Sequence, residues 1–309
     1  MKLMRLGLFW PILLIFILSA VPLLALQSRP TYAQEPLKIG LNVWPGYGAF
    51  FIADDKAFFK NEGVDVQLSI IDGDPEREAS LASGRLDAIG MTLDNLVLLR
   101  SRGIDARAVY KYDGSNGADG IVVRREYKSL NDLRGKKVGW ASGTTSNFFL
   151  AVALARVGLH TTDLEHVSLS SDDAGAAFAA GHLDAAVTWE PWLSKAKESG
   201  LGYTLISSRE LPVIEDVLFF NADILTTRRQ EVRGFLRACF EAVSYWKSHP
   251  DEAVQIISKH LGMPPADVKS MLGGIKVMDY SDLEFGHFRS RRGYRPKISA
   301  TNAAGSVCC

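Results

Sequence analysis

The sequence has few cysteines and no excess of charge of either sign. Only three of its 309 residues are cysteine, and two of them are the adjacent Cys308 and Cys309. Because Cys239 is alone in the body of the chain, a disulfide framework and a cysteine-based zinc site are excluded. The 35 Lys and Arg balance the 35 Asp and Glu, and this neutrality argues against a nucleic-acid-binding protein.

Catalytic and metal-binding patterns are also missing. The six histidines show no metal-ligand spacing and no neighbouring nucleophile pattern. No paired acid and base stand out along the chain. Since 47% of the residues are hydrophobic and 23% are charged, the chain is nevertheless of ordinary globular composition. We therefore expect a folded protein that is not an enzyme and that needs no metal or cofactor.

Long apolar runs are absent after the first thirty residues. Before that point, Lys2 and Arg5 precede an uncharged stretch from Leu6 to Leu26, and small residues surround a cleavage position after Ala33. This order is typical of a secretory signal peptide. The sequence therefore predicts export, with residues 1–33 removed, to the periplasm or another extracytoplasmic space. The apolar run is also long enough for a retained membrane anchor.

An internal repeat links two distant parts of the chain. The pattern Ala-x-Gly-x-Leu-Asp-Ala occurs at 82–88 and again at 179–185, about 97 residues later. In each copy we predict a helix that ends at Gly84 or Gly181, where glycine supplies the left-handed cap. A strand beginning at Ala88 or Ala185 then follows. This spacing is that of a duplicated domain rather than of a solenoid.

Strands alternate with helices of about ten to fifteen residues around both copies, which is typical of βαβ units. The sequence therefore predicts an α/β fold of two lobes, each a mostly parallel sheet flanked by helices. Turn-rich stretches at 113–119 and 207–215 predict two hinge crossings. We assign 34–118 and 217–288 to lobe 1, which is then discontinuous, and 119–216 to lobe 2.

Helices are predicted at 50–61, over 229–247 and after Pro250 and Pro265. Residues 289–309 hold five basic residues and no acid, and they predict a disordered tail.

The loops that follow strands are the candidate ligand site, because open α/β sheets bind ligands at the carboxyl ends of their strands. The first such loop, 42–49, carries Trp44 and Tyr47 among two glycines. Two aromatic rings on a short loop are able to lie beside a small ligand. The alternative is that both rings only cover the end of the sheet.

The second loop carries Gly143, Thr144, Thr145 and Ser146 directly before an apolar helix. Free N–H groups at a helix start, together with three hydroxyls in a row, favour an oxyanion site. Ordinary helix capping needs only one of these hydroxyls and is the alternative. No lysine follows the glycine with the spacing of a nucleotide-binding loop.

The third loop is Trp189-Glu-Pro-Trp192. A carboxylate between two indoles suits a cationic or N–H-rich group of a ligand, so Trp189 and Glu190 are candidates. Glu190 also fits the role of a helix cap. The remaining candidates are Asp119 and Asp216, which lie in the predicted crossings, and Thr92, which follows the first repeat. Turns and hinges also favour aspartate, so a turn or hinge role is the alternative for the two aspartates.

Taken together, Trp44-Pro-Gly-Tyr, Gly143-Thr-Thr-Ser, the repeat and Trp189-Glu-Pro-Trp resemble the periplasmic substrate-binding proteins of ABC importers for nitrate, taurine and aliphatic sulfonates. The resemblance covers about residues 37–272. It implies a monomer with a ligand cleft between two hinged lobes, and it implies an ABC permease with a separate ATPase as partners. Such proteins end in a helix near 283–288, and the basic end of this chain departs from that pattern.

The resemblance implies capture of a small sulfonate, nitrate or taurine-like solute. An amino-sulfonate ranks ahead of nitrate because the hydroxyl-rich loop suits an oxyanion while Glu190 suits an amine. The alternative is a thiamine-pyrimidine-type or other amine or amide heterocycle. An enzyme on the same fold is the least favoured alternative, because Cys239 lies on an apolar helical face and no Cys-rich motif is present.

Overall fold

The computed structural model describes residues 35–285, and its strands form two separate β-sheets. The first sheet has six strands and the second has five. In chain order the strands are β1 (Leu37–Leu41), β2 (Val66–Ile70), β3 (Ala88–Thr92), β4 (Ala106–Ser115), β5 (Asp119–Arg124), β6 (Lys137–Trp140), β7 (Glu165–Ser168), β8 (Ala185–Trp189), β9 (Gly202–Ser207), β10 (Glu215–Asn221) and β11 (Ile275–Val277).

Helices connect and cover these strands. They are α1 (Gly48–Asp55), α2 (Phe58–Asn61), α3 (Asp74–Ala82), α4 (Leu93–Ser101), α5 (Thr145–Ala155), α6 (Ser171–Ala179), α7 (Trp192–Glu198), α8 (Ile224–Thr227), α9 (Arg229–Ser248), α10 (Pro250–Leu261), α11 (Pro265–Leu272) and α12 (Tyr280–Phe285). Short 3-10 turns lie at Pro45–Tyr47, Leu130–Leu133 and Thr161–Asp163. The predicted α/β class with two lobes, one built on each sheet, is therefore confirmed.

Both sheets are mixed, whereas the sequence predicted mostly parallel sheets. The first sheet has the order β11-β4-β10-β3-β1-β2, and the second has the order β7-β6-β8-β5-β9. β2, β1 and β3 are parallel, as are β7, β6 and β8. The other pairings are antiparallel because the strands that carry the chain between the sheets enter each sheet from the opposite end.

The chain passes between the sheets twice. It leaves the first sheet after β4 and enters the second at β5, and it returns between β9 and β10. Asp113 and Asp216 lie within β4 and β10 rather than in turns, because both strands extend further toward the crossings than the sequence predicted. Glu215 and Asp216, assigned from the sequence to lobe 2, are thus residues of the first sheet.

The internal repeat has a structural role that is the same in both lobes. The Asp87 carboxylate accepts the backbone N–H of Lys38 at 2.9 Å, and the Asp184 carboxylate accepts the N–H of Lys137 at 3.0 Å. In each case the aspartate lies directly before one parallel strand and accepts a backbone N–H at the start of the neighbouring strand. The predicted caps are also present, since Gly84 and Gly181 have φ of 70° and 82°. Only glycine adopts such values without strain.

Apolar side chains alternate between the two faces of each sheet. In β10, Leu218 and Phe220 belong to one buried cluster while Phe219 belongs to another. In β5, Ile121 and Val123 separate from Val122 in the same way. Because successive strand residues point to opposite faces, each sheet is packed on both sides.

Most predicted helices are present, with one break. The single helix predicted over 50–61 is divided into α1 and α2 because Ala57 adopts a left-handed conformation, with φ of 59°. A terminal helix, α12, is present near the position that the resemblance implied. The predicted signal peptide at 1–33 and the predicted tail at 289–309 lie outside the described residues.

Candidate ligand-binding site

A cleft opens between the two sheets. It lies where β1, β3 and β8 end and where β5 and β10 begin, as expected for an α/β protein. Both lobes contribute to its wall. The lining residues are Asn42, Trp44, Tyr47, Asp74, Arg77, Met91, Thr92, Asn95, Asp119, Thr145, Trp189, Ile214 and Asp216.

Strand pairing places several of these residues side by side. In the first sheet, Asp216 is the register partner of Thr92 on one side and of Asp113 on the other. In the second sheet, Asp119 is the partner of Trp189. The two rows of polar residues therefore belong to different lobes and meet at one cleft.

The lobes touch directly at the cleft through two threonines. The hydroxyl of Thr92, at the end of β3, lies 2.6 Å from the hydroxyl of Thr145, the first residue of α5. This distance is that of a hydrogen bond between hydroxyls. The structure therefore holds the two lobes in contact beside the cleft.

Trp44 and Tyr47 form the aromatic wall on the side of lobe 1. The indole Nε1 of Trp44 donates to Asp113 Oδ2 at 3.1 Å. The Tyr47 hydroxyl lies 2.7 Å from Asn42 Oδ1 and 2.9 Å from the Gly90 carbonyl oxygen. Burial raises the pKa of Tyr47 above its usual range. Hydrogen bonds thus fix both rings in place before any ligand arrives.

Two glycines make room for this wall. A Cβ atom at Gly46 would lie 1.5 Å from Asp113 Oδ2, and one at Gly90 would lie 2.4 Å from the Tyr47 ring. Both separations are shorter than any allowed contact. The Gly46 in Trp-Pro-Gly-Tyr is therefore required by the buried carboxyl behind the loop.

A buried pair of carboxyl groups lies at the cleft, with Asp216 in its lining and Asp113 behind it. Asp113 and Asp216 are opposite each other on β4 and β10, with 0% and 7% of their surface exposed. Burial raises the pKa of both, and their closeness raises that of Asp216 further. Two adjacent carboxylates resist being ionised together, so this pair shares a proton.

Asp119 adds a third carboxyl from the other lobe. Its side chain is 9% exposed at the start of β5. Burial raises its pKa to about 7, although a hydrogen bond with Ser115 opposes the shift. The cleft is therefore rich in carboxyl groups that are poorly solvated.

Arg77 is the buried cation among the lining residues. Only 2% of it is exposed, and its guanidinium donates to the carbonyl oxygens of Ile71 and Asp72 and to the Asp74 carboxylate. Its Nε–H has no acceptor among the described residues. Arg77 thus brings one unused donor to a cleft that is otherwise acidic.

The predicted oxyanion loop reaches the cleft only at Thr145. Thr144 Oγ1 donates to the Ala141 carbonyl oxygen at 2.8 Å, and the Ser146 hydroxyl is hydrogen-bonded to that of Ser171. Gly143 forms the turn before them, with φ of 71°. Gly143, Thr144 and Ser146 are not among the lining residues.

Glu190 also lies outside the lining. Its Oε2 accepts the backbone N–H of Ser194 at 3.0 Å, and its Oε1 accepts the Ser194 hydroxyl at 2.9 Å. Glu190 therefore caps the start of α7, which is the alternative that the sequence offered. Its neighbour Trp189 does line the cleft.

Of the eleven residues proposed from the sequence, the structure brings seven together: Trp44, Tyr47, Thr92, Asp119, Thr145, Trp189 and Asp216. The lining also contains residues that the sequence pattern did not indicate: Arg77, Asp74, Asn42, Asn95, Met91 and Ile214. Arg77 lies in a charged stretch, Asp74-Pro-Glu-Arg-Glu78, that is typical of an exposed helix. Its burial depends on the carbonyl oxygens that the preceding loop turns toward it.

Residues 35–285 contain neither a membrane-spanning helix nor a metal-holding group of side chains. None of the helices there has the length and apolarity needed to cross a bilayer. Within the same residues, no group of three or more His, Cys, Asp or Glu side chains is arranged to hold a metal ion.

Comparison with known proteins agrees with this architecture. Residues 31–261 match the model of the NMT1-like family. The chain belongs to the NMT1-like family. Among its relatives, a Bacillus subtilis protein named as an aliphatic sulfonates-binding protein is 26% identical over 72% of this chain and 69% of its own. A Haemophilus influenzae protein named as a thiamine biosynthesis protein is 27% identical over 74% of both chains.

A solved structure shows the same fold. The periplasmic aliphatic sulphonate binding protein of Escherichia coli superposes with a TM-score of 0.67 at 24% identity, covering 80% of this chain and 88% of the other. The two-lobed architecture of this family member is thus that of periplasmic binding proteins.

Proposed function

We propose that this chain is the solute-binding component of an ABC importer, which captures a small solute in the cleft and delivers it to a membrane permease. The observation that carries the proposal is the cleft itself, whose lining comes from both lobes and whose edges meet through Thr92 and Thr145. The relative named as an aliphatic sulfonates-binding protein supports it. A separate ATPase would drive the permease, and the chain would act as a monomer outside the cytoplasm.

Capture works as a shift between two arrangements of the lobes. A solute that contacts both lobes favours the closed arrangement, because only that arrangement offers both sets of contacts. Trp44, Tyr47 and Arg77 act from lobe 1, while Asp119, Thr145 and Trp189 act from lobe 2. For micromolar affinity the net binding free energy needed is about 8 kcal/mol. Several charge-assisted hydrogen bonds together with aromatic contact account for a gain of this order.

The preferred solute class is a sulfonate or taurine-like molecule. The unused Nε–H of Arg77 is a buried, charged donor at the cleft, and it suits the oxygen of a sulfonate. The hydroxyl of Thr145 adjoins the same space. The sequence predicted that the whole loop 143–146 binds the oxyanion. The proposal assigns that role to Arg77 and Thr145.

An amine-bearing heterocycle is the second candidate. The carboxyl groups of Asp119 and Asp216, between the rings of Trp44 and Trp189, suit the N–H groups and the flat face of such a molecule. The relative named as a thiamine biosynthesis protein agrees with this candidate. Both candidates are solutes to be bound and released unchanged.

A thermal-shift screen of the purified protein tests the proposal. The panel contains taurine, alkanesulfonates, nitrate and aminopyrimidines, and a bound solute raises the unfolding temperature by mass action. We expect at least one to do so, and we expect mass spectrometry to recover it unaltered after incubation. The appearance of a product, or the absence of any stabilisation across the panel, would overturn the proposal.

A further inference from the structure

Asp113 and Asp216 have carboxyl oxygens that receive no donor from any other residue described. The Oδ2 of Asp113 receives the Trp44 indole N–H, but Asp113 Oδ1 and Asp216 Oδ2 have no other protein donor, so the proton that the two carboxyls share is the hydrogen available to them. Asp216 is 93% buried, with 7% of its surface exposed, and it lines the cleft. A buried carboxylate that lacks donors is strongly destabilising. The pair therefore depends on its shared proton, and a cationic group of a ligand is able to take the place of that proton.

The charge balance of the cleft points the same way. Three aspartates line it, Asp74, Asp119 and Asp216, against one arginine. Arg77 is already paired with Asp74. The uncompensated carboxyls are thus Asp119 and Asp216, one on each lobe, at the starts of β5 and β10.

Aromatic rings frame these carboxyls. Trp189 is the register partner of Asp119, and the indole N–H of Trp44 donates to Asp113 of the Asp113–Asp216 pair. A positively charged group is stabilised both by carboxylates and by the faces of indole rings. A bare anion placed here would meet two unpaired carboxyls instead.

We propose that Asp119 and Asp216, backed by Asp113, form a subsite that accepts a protonated amine or an amidinium group of the solute. The inference rests on the proposed function, since it assigns one end of the captured solute. The incoming cation replaces the proton shared by Asp113 and Asp216, and that proton leaves to solvent. Arg77 and Thr145, which also line the cleft, are the residues for an anionic end where the solute has one.

Other titratable and charged groups face this subsite. They come from β4, α4, the 3-10 turn Pro45–Tyr47, α3 and the loop after β8, and they are Lys111, Tyr112, Asp94, Tyr47, Arg77 and Glu190. Burial raises the pKa of the Asp119 and Asp216 carboxyls in the unliganded protein. A cation therefore binds more tightly as the pH rises and these carboxyls ionise.

The test uses two pairs of probes that differ in the charged nitrogen: taurine with ethanesulfonate, and benzamidine with benzoate. Calorimetry on the whole protein measures each dissociation constant at pH 5 and pH 8. We expect the nitrogen-bearing member of at least one pair to bind about tenfold more tightly than its partner. We also expect its affinity to rise with pH and protons to be released on binding.

Asp216→Asn removes the charge at nearly constant size and should abolish this preference. Glu78→Gln is the matched control, because Glu78 is a partly buried carboxyl on α3 that does not line the cleft. Should Asp216→Asn fail to fold, the proton release of the unmodified protein still decides the question.

Tighter binding of ethanesulfonate and benzoate would overturn the subsite and leave the proposed function intact. No binding of any of the four probes would overturn the subsite, whereas the proposed function falls only when the full solute panel also fails.

Discussion

Thr92 and Thr145 hydrogen-bond across the cleft at 2.6 Å, although they belong to different sheets and lie 53 positions apart in the chain. Thr92 is also the register partner of Asp216. The contact between the lobes is therefore adjacent, in the first sheet, to the Asp113–Asp216 carboxyl pair. Closure and ligand recognition involve the same row of residues.

Removing one of these hydroxyls should weaken capture. Thr145→Val keeps the shape of the side chain and loses the hydrogen bond, a net contribution of about 0.5–1.5 kcal/mol, or about a twofold to twelvefold loss of affinity. Calorimetry with the best solute of the screen measures this loss. Thr144→Val is the control, because its hydroxyl is bonded to Ala141 and does not line the cleft. Equal losses in the two variants would contradict the account.

Gly46→Ala should destabilise the fold. The new methyl group would overlap Asp113 Oδ2 and the Trp44 indole, which are themselves hydrogen-bonded. Overpacking of this kind costs about 1–3 kcal/mol in the free energy of unfolding. Gly114→Ala is the comparison, because its Cβ would meet only ordinary contacts at 3.6 Å. Denaturant unfolding of both variants provides the measurement, and a stable Gly46→Ala protein would show that the loop is not held as described.

The stability of the unliganded protein should fall as the pH rises. Burial raises the pKa of Asp119 from 3.8 to about 7, so the folded state holds a proton that the unfolded state has already lost. This favourable contribution is complete below about pH 4 and is lost as the pH rises through 7. Unfolding temperatures between pH 5 and pH 8 test the sign.

Asp119→Asn should reduce this pH dependence, because an amide does not titrate, while Asp113 and Asp216 keep their share of it. Asp267→Asn changes an exposed carboxyl on α11 and serves as the control. A variant Asp119→Asn that retains the full fall in stability would mean that other groups cause it.

Glu190→Ala should lower stability more than it lowers ligand affinity. Both carboxylate oxygens are occupied by Ser194 at the start of α7, and the loss of such a cap costs about 1 kcal/mol. Thermal unfolding and calorimetry on the same variant separate the two effects. A tenfold loss of affinity with unchanged stability would instead restore Glu190 as a ligand-binding residue.

Local patterns predicted the two-lobed fold, because its signals are short-range. The repeat around Asp87 and Asp184, the glycine caps and the alternation of strand with helix are all readable along the chain. The mixed character of the sheets was not readable in this way. It follows from where β4, β5, β9 and β10 insert, which is a matter of long-range pairing.

The site was predicted only in part for a similar reason. Aromatic residues and hydroxyls on loops drew attention to Trp44, Tyr47 and Thr145. The pattern around Arg77 indicated an exposed helix, and the turn-rich surroundings of Asp113 hid its place in a buried strand. Thr145 lines the cleft, whereas the hydroxyl of the adjacent Thr144 donates to the backbone. Which of two neighbouring hydroxyls meets a ligand depends on the residue at which the helix begins, and the sequence pattern does not predict that to within one residue.

The most direct test of closure of the two lobes around a solute is the distance between the lobes, measured with and without that solute. Spin labels on Val97→Cys in α4 and Val157→Cys after α5 report it, because both positions are exposed and lie on different lobes. Replacement of Cys308 and Cys309 by serine leaves buried Cys239 unlabelled. We predict that addition of the bound solute shifts the distance distribution toward a single shorter distance. An unchanged distribution in the presence of saturating solute would contradict the account.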